Sequence, residues 1–402
     1  MKNYGLPYQG SKQKIIDFII NNLPPARHLY DLFGGGGSVT CAALASGNYR
    51  HVHCDDINKH TMFLKDCIND TVPGLFRWVS RSEYFLSRDF DDMAFFCYSF
   101  SSNGQDYIYS TEIEAYKQAL YYARVFKDCS LLEDIGIKTV NRKQVISNRA
   151  AVKNKYIKYY VRNILRMDGD IDEIFNALHN IVANKEAYLR DYLKKALKDS
   201  GLTQREVGKR LNTNMERHYF SNTQFQFPTR EAYAKMREFM PLKLEYDEIL
   251  QDDKIKLSNY RTLQNLQRLT DFDSLGSYQN QLRIKELGKL KNISHRATFS
   301  NLDYREVKVE PGSVIYCDIP YCGTSGYEFN GIRFEHEDFY RWALAQRELV
   351  IVSEYWMPED FVCVASLPVV CTFGANRNDT KEKLFVPRHQ LALYKQKLGF
   401  LF

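Results

Sequence analysis

The sequence predicts an α/β fold: a doubly wound, parallel-rich sheet assembled from the two ends of the chain and interrupted by a mostly helical insert. Three observations carry this. Within the first sixty residues a strand, a glycine-rich turn, a helix, a second strand and a closing acid follow one another, the order of a nucleotide-binding half-sheet. The last hundred residues return to short apolar strands around one amphipathic helix. Between residues 71 and 298 helical periodicity, basic residues and tyrosines replace the strand signals, so that stretch does not extend the same sheet.

The elements follow in order. Residues 10–23 carry Ile15, Ile16, Ile19, Ile20 and Leu23 at helical spacing, closed by Pro24 and Pro25. A strand is expected over 28–33, then the four glycines Gly34, Gly35, Gly36 and Gly37, a small-residue helix over 38–46, and a strand over 51–56 ending in Asp55 and Asp56. Late in the chain, strands are expected over 313–319, 349–355, 361–370 and 391–395. A helix over 335–348 offers Phe339, Trp342 and Leu344 to its packed side. The catalytic-type sheet domain is therefore expected over 1–70 and 299–402, with the insert over 71–298.

Composition bounds the function. With 402 residues, 44% hydrophobic and 26% charged, the chain can bury a core and is not disordered. No run of 18 apolar residues exists and the N-terminus lacks an apolar signal core, so no membrane partner and a cytoplasmic location are expected. Nine cysteines without a Cys-x-x-Cys pair give no metal signal. The net charge is only +6, but residues 138–217 hold 18 Lys and Arg against nine Asp and Glu, which leaves the rest slightly acidic. A basic middle of that kind is an electrostatic footprint for a polyanion.

Two constellations carry chemistry. The Asp31-Leu32-Phe33 strand end and its four glycines let the backbone turn tightly and approach a ligand, while the following helix start presents free N–H groups. No Gly-Lys-Ser/Thr follows, so this is not a phosphate-binding P-loop; NAD, FAD, a nucleotide and S-adenosylmethionine all remain open. Asp56, about twenty residues on, is placed to accept hydrogen bonds from a ribose. The second constellation is Asp318-Ile319-Pro320-Tyr321, closing a buried strand at the edge where ligands bind in such sheets. The Asp318 carboxylate and the Ile319 carbonyl can accept the two N–H bonds of a flat exocyclic amine, and the Tyr321 ring can stack on its base.

Tyr8-Gln9-Gly10-Ser11-Lys12, the Asp31-Leu32-Phe33 glycine loop, Asp55-Asp56-Ile57-Asn58 and Asp318-Ile319-Pro320-Tyr321, in that order, resemble the Dam-like, alpha-ordered N6-adenine DNA methyltransferases. The resemblance covers about 150 residues at the two ends. It implies a Rossmann-like, S-adenosylmethionine-dependent sheet interrupted by a target-recognition domain, with double-stranded DNA as partner. Tyr8, Lys12, Phe33, Gly34, Gly35, Gly37 and Asp56 would then hold the cofactor, with Asp318 facing both the methyl group and the amine. Ile319 stands where the family usually has Pro, and Tyr8 where it often has Trp. An aromatic amine is a poor nucleophile, so carboxylate and carbonyl acceptors on its hydrogens would direct electron density to nitrogen for in-line attack. Adenine in a duplex is out of reach, so the base would be flipped out.

The segment 202–222 looks like a helix-turn-helix. Thr203 and Glu206 form a capping box, Val207 and Leu211 face inward, Gly208 admits a second helix and Asn212 suits a left-handed turn. A second helix near 214–220 would present Asn214, Glu216, Arg217 and His218 to base edges. Alternatives of other classes are a catalytically weak sequence-specific DNA-binding relative, the same transfer to cytosine N4, RNA or a glutamine amide, and, more distantly, an NAD-dependent enzyme.

Overall fold

The structure is a computed structural model that describes residues 3–8, 10–59, 62–102, 104–137, 149–250, 253–269, 274–322, 328–329, 332–370 and 379–399. The chain divides into two compact units, residues 1–110 with 275–402, and residues 111–274.

The first unit holds a seven-stranded sheet in the order β3-β2-β1-β4-β7-β9-β8. Its strands are β1 (Ala26–Asp31), β2 (Tyr49–Asp55), β3 (Ala297–Ser300) and β4 (Val314–Cys317). A separate two-stranded ladder joins β5 (Glu328–Phe329) to β6 (Ile332–Arg333). β7 (Leu349–Glu354), β8 (Phe361–Val370) and β9 (Asp379–Pro387) complete the large sheet. Strands β3, β2, β1, β4 and β7 run parallel, and β9 runs antiparallel to both β7 and β8. β4, residues Leu349–Val352 of β7 and Leu29-Tyr30 of β1 are buried and apolar or aromatic on both faces, as burial under helices on two sides requires. The helix Ser38–Ser46 covers one face. On the other, the helix His336–Ala345 packs Phe339, Tyr340 and Ala343 against Tyr30, Ile315, Cys317, Val350 and Val352.

Register aligns the functional edge. Asp31 pairs with Cys54 on one side and Tyr316 on the other, and Cys317 pairs with Val352. The carboxyl ends of four parallel strands thus lie close to one level, and each bears an acid: Asp31, Asp55 with Asp56, Asp318 and Glu354. Chain order reverses between β1 and β4, the place where open sheets of this kind form a crevice.

One strand expectation needs correcting, and one strand was not expected. Residues 391–395 are not a strand but part of the helix Leu391–Lys397. Alternating Leu391, Leu393 and Lys395 mimic a strand, yet Tyr394 is the buried residue and anchors the helix by donating its hydroxyl to the Asn22 carbonyl at 3.1 Å. The strand that fills the place between β7 and β8 is β9, whose Lys381-Glu382-Lys383 hides it behind charge. The compact units also divide at 110/111 and 274/275 rather than at 70/71 and 298/299. The helix Gly276–Leu287 packs on the helices Asp92–Tyr98 and Met62–Asn69, and the turn Gly288–Arg296 leads directly into β3.

Every secondary-structure element among the second unit's described residues is a helix. Its longest element, Ile171–Ser200, starts at Asp170, whose carboxylate caps two backbone N–H groups, and ends at left-handed Gly201. Leu189, Leu193 and Ala196 on its inner stripe pack against Val207, Leu211, Tyr219, Tyr233 and Met236. Part of the basic segment, residues 138–148 and the Arg149 side chain, lies outside the described residues.

Candidate active site

The glycine loop is braced from both sides. Gly34 N–H donates to the Asp55 carbonyl at 2.9 Å, and Leu6 N–H donates to the Gly36 carbonyl at 2.7 Å. Gly35 has φ +50°, and a Cβ there would lie 2.9 Å from Cε1 of Tyr8, whose ring lies against the loop. Gly37 has φ +71° and starts the helix Ser38–Ser46; its Cβ would fall 2.0 Å from Leu64 Cδ2. Both positions need glycine for conformation and for space. Beneath the loop, the buried Asp31 carboxylate accepts from Thr40 N–H at 3.1 Å and Thr40 Oγ at 2.7 Å, satisfying one of the orphan donors of the helix start. Burial pushes the Asp31 pKa up to about 7, with Asp318 and Asp56 adding to the rise against the Thr40 hydrogen bonds.

A cavity of about 580 Å³ opens beside this loop, within the roughly 300–1,000 Å³ usual for small-molecule sites. Tyr8, Lys12, Phe33, Gly34, Gly35 and Asp56 line it from the amino-terminal segment, and Asp318, Ile319, Pro320, Tyr321, Tyr355 and Glu382 from the carboxy-terminal one. Asp56 Oδ2 accepts from Gly35 N–H at 2.8 Å and Oδ1 from Asn58 N–H at 2.7 Å, which fixes the carboxylate and leaves lone pairs over for a ligand. Burial raises its pKa, against those two hydrogen bonds. Its neighbour Asp55 is turned away, accepting from Ser300 Oγ at 2.6 Å and Leu302 N–H at 3.0 Å. Phe33 packs in an aromatic wall with Tyr304 at 5.3 Å and Phe334 at 5.7 Å between centroids.

The turn after β4 is held at several points. Lys12 Nζ lies 2.9 Å from Asp318 Oδ1 and 3.2 Å from Glu382 Oε1. It also donates to the Tyr321 hydroxyl and stands 4.4 Å from the centroid of that ring. The Tyr321 hydroxyl in turn donates to Glu382, which accepts from Ser353 Oγ at 2.7 Å as well. Glu354, fully buried, accepts from Cys322 N–H at 2.5 Å and from Tyr355 N–H. His336 Nε2 meets the Pro320 carbonyl at 2.7 Å, and the Ile319 side chain is buried in the core beside Phe339. Burial pushes the Asp318 pKa up to about 6 even with Lys12 opposing the rise. Burial also works against a charged Lys12, but Asp318 and Glu382 more than offset it and its pKa is raised.

The expected cofactor residues therefore meet the expected catalytic turn around one space, apart from Gly37, which shapes the loop from outside the lining while Gly36 lines it. Gln9 of the first motif lies outside the described residues. One face of the Tyr321 ring carries Lys12 and its hydroxyl is tied to Glu382. The sequence reading missed Glu382, which sits in a charged run with no motif around it.

In the second unit the capping box of Thr203 and Glu206 is present, and Asn212 is left-handed. The helix that follows is only Glu216–Tyr219, four residues rather than the seven expected over 214–220. Asn214 and Arg217 are exposed. His218 Nδ1 meets the Gln224 carbonyl at 3.3 Å. Glu216 is a correction: its carboxylate turns inward against Gly208, where a Cβ would be 2.7 Å from Glu216 Cδ, so it is not presented as a base reader.

Among the described residues no group of His, Cys, Asp and Glu could hold a metal ion, and no helix is long and apolar enough to cross a membrane. No curated protein matches the chain. Residues 8–198 match the model of the family described as D12 class N6 adenine-specific DNA methyltransferase. The match takes in the Tyr8–Lys12 segment, the glycine loop and Asp56, and ends before β4 and Asp318. Over residues 8–198 the chain is similar to this family, which supports a Dam-like adenine methyltransferase.

Proposed function

We propose that the protein is a site-specific DNA methyltransferase that moves a methyl group from S-adenosylmethionine to adenine N6 in double-stranded DNA. The family match over residues 8–198 supports methylation of adenine in DNA. One observation carries the finer reading: Asp56, beside the glycine loop, and Asp318, at the end of β4, line the same cavity.

The residues fit the donor. Asp56 offers a fixed carboxylate for ribose hydroxyls, Phe33 an aromatic face for an adenine ring, and the loop glycines close backbone approach. When bound, S-adenosylmethionine supplies an electrophilic methyl group on a sulfonium. The chain does the rest by positioning. Asp318 and the Ile319 carbonyl accept the two N–H bonds of the target amine, which disfavours its planar form and concentrates electron density on nitrogen. Burial of Ile319 in the core and the His336 hydrogen bond to Pro320 stiffen the turn where the family's usual proline is missing. The base reaches this turn by leaving the duplex. The exposed cations of the second unit, Arg217 among them, hold the DNA backbone, and Asn214, Arg217 and His218 are the candidates for reading it.

Transfer of labelled methyl groups from S-adenosylmethionine to unmethylated DNA tests this. Label in N6-methyladenine is expected, lost by about 100-fold or more in Asp318→Ala. Binding of DNA with no label incorporated, or label in cytosine, overturns the proposal.

A further inference from the structure

We infer that Glu382, on the antiparallel strand β9, is a positioning residue that receives Lys12 when the target amine engages Asp318. The inference rests on the function proposed above and goes beyond it, since no motif includes Glu382. In the free protein Lys12 Nζ is shared between two carboxylates, 2.9 Å from Asp318 Oδ1 and 3.2 Å from Glu382 Oε1. An ammonium seated on Asp318 competes with an incoming N–H for the same acceptor. Lys12 is nearly buried, so it does not leave Asp318 for solvent; it needs a second acceptor within a short swing, because an unpaired buried charge is costly. Glu382, 4% exposed, supplies it.

Glu382 is itself fixed. Ser353 Oγ from the end of β7 donates to Oε1 at 2.7 Å, and the Tyr321 hydroxyl donates to the same oxygen. The groups facing Asp318 are Lys12 from the amino-terminal turn, Tyr321 from its own turn, Glu382 from β9, Asp31 from β1, and Tyr316 and Cys317 from β4. Among these Lys12 is the cation, so the division of its charge between two acids sets how readily Asp318 stays ionised. Removing the Glu382 charge ends one repulsion and leaves Lys12 wholly on Asp318. Both effects lower the pH at which Asp318 gains a proton, and the second also obstructs the amine.

Glu382→Gln, nearly isosteric, is compared with wild type and with Glu382→Asp, all checked for unchanged thermal melting. In the free proteins the Asp318 carboxyl is titrated by carbon-13 NMR, with Asp318→Asn to assign its signal. The expected result is a midpoint lower in Glu382→Gln by about half a unit or more. In methyl transfer, kcat falls roughly 10- to 100-fold with KM for DNA within about threefold, the acid limb of the kcat profile moves to lower pH, and Glu382→Asp restores most of the rate. An unmoved Asp318 midpoint, or a loss of kcat with the acid limb unmoved and no rescue by Glu382→Asp, overturns the inference. Wild-type protein that transfers nothing to adenine overturns the functional reading instead, and is seen before any Glu382 variant is assayed.

Discussion

Replacing Asp31 by Asn makes the protein more stable at neutral pH, by an amount that grows with pH. Asp31 is 1% exposed and its pKa is carried from 3.8 up to about 7, chiefly by burial. The folded state therefore binds the Asp31 proton more tightly than the unfolded chain does. The stability this adds is complete below the unfolded value and is lost as pH rises toward the folded one. A rise of about three units at about 1.4 kcal/mol each makes the loss about 4 kcal/mol above pH 7, an upper bound for so buried a group. In Asp31→Asn the amide oxygen keeps both Thr40 donors, at 3.1 and 2.7 Å, and nothing ionises. Urea unfolding of both proteins from pH 4 to pH 8 reads the difference directly. His53, held down to about 4 by burial, also titrates in this window but cancels between the two proteins. Asp318, raised to about 6, is relieved of the Asp31 repulsion in the variant and shifts the difference in the same direction. The variant is expected to gain roughly 2–4 kcal/mol on wild type between pH 4 and pH 8. A difference flat with pH refutes the reasoning.

Three other outcomes follow from the same geometry. Gly37→Ala places a Cβ 2.0 Å from Leu64 Cδ2 at φ +71° and costs about 2–4 kcal/mol from backbone and overpacking together, read by urea unfolding. Phe33→Ala removes the aromatic wall beside Tyr304 and weakens S-adenosylmethionine binding by calorimetry, with DNA binding unchanged. Lys and Arg to Ala changes within residues 138–217 weaken DNA binding and each flattens its salt dependence by about one unit of slope per lost phosphate contact, while donor affinity is kept.

Much of the sheet was legible because its signals are local. The helix over 38–46 and the strand over 361–370 stand where the sequence places them, since small residues after a glycine loop and a continuous apolar run each leave little choice. β9 was not legible, because burial of Glu382 within its charged Lys381–Lys383 stretch depends on partners far away in the chain. The site shows the same division. Asp56 and Asp318 are marked by their place at strand ends, a rule of sheet topology. Glu382 approaches from an antiparallel strand and is defined only by contacts with Lys12, Tyr321 and Ser353, residues 29 or more positions away. In the second unit the capping box was legible from Thr203 and Glu206 alone. The direction of Glu216 was not, since it depends on the space that Gly208 leaves beside it.

Long-read detection of modified bases on DNA from cells expressing the protein, beside cells expressing Asp318→Ala, tests the central claim most directly. The account predicts N6-methyladenine recurring within one short sequence and absent from the variant. DNA left unmodified by the wild-type protein, or modified at cytosine, would contradict it.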